Sequence, residues 1–120
     1  MDPAINEALA AMEAEDPTAA HLAGTALGVV TGGGGAGRIT QERVQRFLWY
    51  DLPIKLRPTD EARAAITDAL ATALDLLQLP RYAEICRSDT TKKVHQAYTE
   101  NPQVGLMAFR EANLASGIYP

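Results

Sequence analysis

The run Thr-Gly-Gly-Gly-Gly-Ala-Gly-Arg at residues 31–38 is the first stretch with chemical potential. Gly32, Gly34 and Gly37 satisfy the spacing G-x-G-x-x-G. In a dinucleotide fold, that spacing makes a tight turn and lets a pyrophosphate approach a helix N-terminus. Gly34, Gly37 and Arg38 are therefore a candidate anion site. Against it, a run of glycines meets the pattern trivially, and no acid ends a second strand. A Walker loop is excluded, because Arg38 and Ile39 stand where Lys and Ser or Thr are needed.

The second stretch is Arg43–Lys55. Trp49 and Tyr50 are adjacent, with Arg43, Arg46, Lys55 and Arg57 close in sequence. If Val44, Phe47 and Leu48 face a core, Arg43, Arg46 and Tyr50 turn to another face at spacings of three and four. Trp, Tyr and Arg are the side chains that most often anchor interfaces. Arg43, Arg46, Trp49 and Tyr50 are therefore the candidate partner-binding residues, with Ile118 and Tyr119 as a candidate second patch. The competing reading has Trp49 and Tyr50 closing the core with their polar tips in solvent.

The third stretch, Tyr82–Tyr98, places Thr90, Lys92, Lys93, His95 and Gln96 after a short helix and a turn. It looks a little like a helix-turn-helix reader. Glu84 and Asp89 dilute its charge, and no glycine marks the turn. Within it, Cys86 and His95 could be paired as nucleophile and base. Tyr82 and Ile85 beside Cys86 suit an inert core thiol better. No catalytic residue is assigned. His21 and His95 lack an acid or histidine at i+3 or i+4, and the single cysteine rules out a thiolate zinc site, so no metal or cofactor is expected.

The elements that position these residues are helices. Asp2-Pro3, Asp16-Pro17 and Asn101-Pro102 each set an Asx cap before a proline, which loses no helical bond at the first position. Thr40, Thr59 and Ser88 are three further caps. The patterning predicts helices over 3–14, 17–30 and 41–50. The prolines at 53 and 58 predict an extended segment over 51–58. Ile66, Leu70, Leu74 and Leu77 then give a clean helical stripe over 60–78. Short helices over 81–87 and 89–99 follow, and the last runs over 102–115 to a terminating Gly117.

No segment alternates as a strand does. The architecture expected is all-α: a compact bundle of five or six short helices with a Gly-rich interhelical loop at 32–37. At 120 residues the chain reads as a single helical domain. Residues 1–31 form an acidic N-terminal helical pair, joined by loop 32–38 to a helical body at 39–120.

Composition narrows the function classes. Net charge is −4. Asp2, Glu7, Glu13, Glu15 and Asp16 precede the first cation, Arg38, and the remainder is nearly balanced. That balance argues against general nucleic-acid binding, which needs a clear cationic excess. The acidic N-terminus lacks the apolar region of a secretory signal, and no apolar stretch spans a bilayer. A cytoplasmic protein without a membrane partner is expected.

The reading best supported is a non-catalytic helical module, regulatory or interaction-forming, that binds another protein or itself as a homodimer. The alternative is a phosphate- or nucleotide-binding protein, or an enzyme, using loop 32–37. A second alternative is a helix-turn-helix-like DNA-binding regulator using 82–98.

Overall fold

All six cap residues open helices in the computed structural model, which describes residues 2–117. Side-chain oxygens of Asp2, Asp16, Thr40, Thr59, Ser88 and Asn101 each accept from an amide in the first turn, at 2.7–3.2 Å. They begin α1 (Pro3–Glu15), α2 (Pro17–Thr31), α3 (Gln41–Arg46), α4 (Asp60–Leu76), α6 (Asp89–Glu100) and α7 (Pro102–Ala115). The remaining α-helix, α5 (Pro80–Arg87), starts on Pro80 without a side-chain cap. The protein is all-α, with no strand among the described residues.

The helix ends follow the same local chemistry. Gly32, at φ +64°, and Gly33, at φ +83°, close α2. The Gly33 amide donates to Gly28 at 2.9 Å and the Gly32 amide to Val29 at 3.1 Å. That pair of bonds is the Schellman closure, which favours glycine at the left-handed position. Gln78, at φ +61°, makes the same closure at the end of α4 without being glycine.

The hairpin α1–α2 lays α2 across α4, and α5 folds back on α4. On the other side α6 pairs with α7, and the segment after α3 lies against both. Leu27, Val30, Val44, Phe47, Leu48, Leu52, Leu70 and Leu74 are fully buried where these layers meet.

One expectation fails. Of the stretch 51–58 expected to be extended, residues 51–56 are not, because α3 continues into a π-helical segment, Phe47–Leu56, that contains Pro53. Proline lacks the amide proton that a helix interior needs. An amide at position 53 would donate to Trp49 in an α-turn and to Leu48 in a π-turn. Both of those carbonyls are served from α6 instead. His95 Nε2 lies 2.8 Å from the Leu48 oxygen, and the Tyr98 hydroxyl donates to the Trp49 oxygen at 2.7 Å. The local bias of proline is thus overridden by burial of Phe47, Leu48, Trp49 and Leu52, with side chains supplying the missing donors.

Candidate partner-binding face

The π-helical segment turns Tyr50 to the surface while its neighbours go inward. Tyr50 is half-buried and meets Phe109 of α7, with ring centroids 5.5 Å apart at an angle of 34°. Two exposed cations flank it. The Arg46 guanidinium carbon lies 5.6 Å from the Tyr50 centroid and Lys55 Nζ lies 5.9 Å from it. Both are within cation–π range. Beneath them, the Asp51 side chain is only 13 % exposed. Its Oδ1 has no hydrogen-bond donor and is balanced by charge alone, from Lys55 Nζ at 3.5 Å and Arg46 Nε at 4.0 Å. The result is an aromatic pair set in a small cationic surround, held by three elements.

The chain matches no protein-family model, no curated protein and no solved structure.

Only part of the set read from the sequence lies on this face. Arg46 and Tyr50 do. Arg43 points elsewhere, with Nη1 donating to the Val30 carbonyl at 3.3 Å near the end of α2. Trp49 is 2 % exposed and gives a partner nothing to touch. Its indole N–H donates to the buried Thr91 hydroxyl at 2.9 Å, so its polar tip finds a partner inside the fold rather than in solvent. Ile118 and Tyr119 lie outside the described residues. Phe109 escapes the sequence reading, because its partner is 59 positions away. The only sign of it is that α7 carries more apolar residues than one helix face can hide.

Most backbone amides of the glycine loop are already engaged within the fold. The amides of Gly32, Gly33, Gly34, Arg38 and Ile39 all donate to backbone carbonyls nearby. The Ala36 amide already holds an anion, since Asp2 Oδ2 accepts from it at 2.6 Å while Oδ1 caps α1. That bond is the main reason the Asp2 carboxyl titrates below its ordinary value. A Cβ on Gly35 would fall against the same carboxylate. Gly34, Gly37 and Arg38 therefore belong to a loop whose shape is fixed by the start of α1. The cavity beside it, of about 480 Å³, is bordered by Ile5, Leu9 and Leu27 together with the Asp2 carboxylate, Asn6 and Gly33–Gly35.

The segment 82–98 also departs from a DNA reader. Its two helices are joined through Ser88 alone, whereas a helix-turn-helix uses a turn of about three to four residues. Thr91 is buried and His95 is half-buried, and the exposed Lys92, Lys93 and Arg87 are diluted by exposed Glu84 and Asp89.

Cys86 and His95 border one cavity of about 430 Å³, but neither is poised for nucleophilic work. Burial pushes the Cys86 thiol up to about 12, and the thiolate is the reactive form. Burial also lowers the His95 value. Because the Leu48 carbonyl can only accept, Nε2 carries the ring proton of neutral His95. Among the described residues no three metal-ligating side chains converge, and no helix is long and apolar enough to cross a membrane.

Proposed function

We propose that the chain is a non-catalytic helical module that binds another protein through the face built by Arg46, Tyr50, Lys55 and Phe109. The observation that carries this reading is the half-buried Tyr50–Phe109 pair between two exposed cations. Tyr and Arg dominate binding energetics because they offer area, rigidity and directed polar contacts together. With Arg46 and Lys55 set against Asp51 alone, the face carries a positive excess. It suits a partner segment that offers an apolar or aromatic anchor beside carboxylates.

The test is Tyr50→Ala combined with Arg46→Ala. The double variant keeps its helical circular dichroism, because Tyr50 is only half-buried and Arg46 is exposed. Loss of an anchor of this kind costs about 2 kcal/mol, or roughly thirty-fold in Kd. The readout is the set of proteins captured by wild type and variant, followed by titration of each. A folded variant that keeps every partner at wild-type affinity overturns the assignment.

A further inference from the structure

We infer that a second copy of this chain docks head to tail, the outward ridge of α7 of one copy lying in a groove beside α1 of the other. Two unpartnered surfaces carry the inference. On α7, Met107 is 59 % exposed and Leu114 is 57 % exposed. Seven residues apart, they fall on one stripe, with Arg110 on one flank and Glu111 on the other. Beside α1 lies a groove of about 340 Å³. It is lined by Ala4, Glu7, Ala8 and Ala11 of α1 and by Leu76, Leu77 and Gln78 at the end of α4. Leu76 is 46 % exposed.

The two surfaces are complementary in three respects. Large flexible side chains face small ones, and Met107 in particular adapts to irregular apolar gaps. The alanines recur at i, i+4 and i+7 and the ridge spans i to i+7, so both have the same axial length of about two turns. Arg110 and Glu7 are of opposite charge, and neither has an ion-pair partner in its own chain among the described residues. The pairing also uses the charge asymmetry, because no Lys or Arg precedes Arg38 to repel an incoming Arg110. α1 packs on α2 and α4, while α7 packs on α6 and the π-helical segment. Within one chain, the two surfaces therefore belong to different layers. The contact is heterologous, so it closes into a ring or extends as a filament.

The inference is independent of the Tyr50 face, which lies on another side of α7. Sedimentation velocity over a concentration series tests it. Wild type shows a mean mass that rises with concentration and falls with added salt. Arg110→Glu and Glu7→Arg each weaken association by about ten-fold or more. An equimolar mixture of the two restores it, because each supplies the surface the other lacks. Met107→Glu abolishes association with helicity unchanged. If that variant loses helicity, Leu114→Glu tests the same ridge. Tyr50→Ala leaves association intact. A wild type that is monomeric at every concentration overturns the inference. So does an assembly indifferent to these ridge and groove substitutions, or a mixture that stays monomeric.

Discussion

Pro53 sets the problem that several other residues solve. It sits inside a helical turn, and the Leu48 and Trp49 carbonyls that its amide would serve are taken by His95 and Tyr98. Removing either donor loses a part-buried side-chain hydrogen bond, which costs about 0.5–1.5 kcal/mol. Tyr98→Phe is expected to lower unfolding stability by that amount in urea titrations. Pro53→Ala restores an amide donor that reaches the Trp49 carbonyl once the turn tightens from π to α, so the double variant should lose less than the sum of the two single losses. Strict additivity would show that the hydroxyl and the proline are unrelated. His95 adds a pH dependence whose sign follows from its lowered value. Below the ordinary value of 6.5 the unfolded chain binds a proton that the folded chain still refuses. The stabilisation is complete above that value and is lost as pH falls through the lowered one. Urea midpoints recorded between about pH 8 and pH 5 should therefore fall on acidification. His95→Gln should flatten that slope.

At the scale of elements, α6 and α7 hold the Tyr50 face together through one close approach. A Cβ on Gly105 would fall inside the Tyr98 ring, so the ring lies flat on the α7 backbone. An alanine normally favours a helix over glycine by about 1 kcal/mol. Here overpacking of about 1–3 kcal/mol opposes it, and Gly105→Ala is expected to lower the thermal midpoint rather than raise it. A raised midpoint would mean that Tyr98 moves aside at no cost. The helices were legible in the sequence because caps are local: Asp16, Thr59 and Asn101 announce their helices within three residues. The π-helical segment was not legible. Proline biases its neighbours locally, while the donors that overrule it come from α6, more than forty positions away. Half of the candidate face was legible for the same reason. Arg46 and Tyr50 share a turn, whereas Phe109 joins them only through packing. Trp49 shows the limit of residue type as a guide, since the same indole suits an interface or a core, and the deciding hydroxyl belongs to Thr91.

For the whole molecule, the glycine run has a different place from the one its composition suggests. It is tied to the start of α1 through Asp2, so the acidic hairpin and the helical body share a fixed junction. Along the chain the acidic side chains of that hairpin all precede Arg38, whereas Arg46 and Lys55 beside Tyr50 belong to α3 and the π-helical segment. Charge at a contact surface guides approach more than it adds affinity, and its influence fades as salt shortens the screening length to about 8 Å at physiological strength. Salt is therefore expected to slow encounter at either surface while leaving helicity unchanged. Stopped-flow association rates would register the first effect and circular dichroism the second.

The π-helical segment takes part of its hydrogen bonding from α6, so its shape is not a property of its own sequence. Local opening of α6 would free the Leu48 and Trp49 carbonyls, loosen the wide turn and let Tyr50 leave Phe109. The Tyr50–Phe109 face and the α6–α7 pair should then open and close as one cooperative unit. Amides of Phe47–Leu56 and of α6 would share a single exchange free energy, distinct from that of the N-terminal hairpin. A partner that clamps Tyr50 would in turn slow exchange along α6, at amides it never touches.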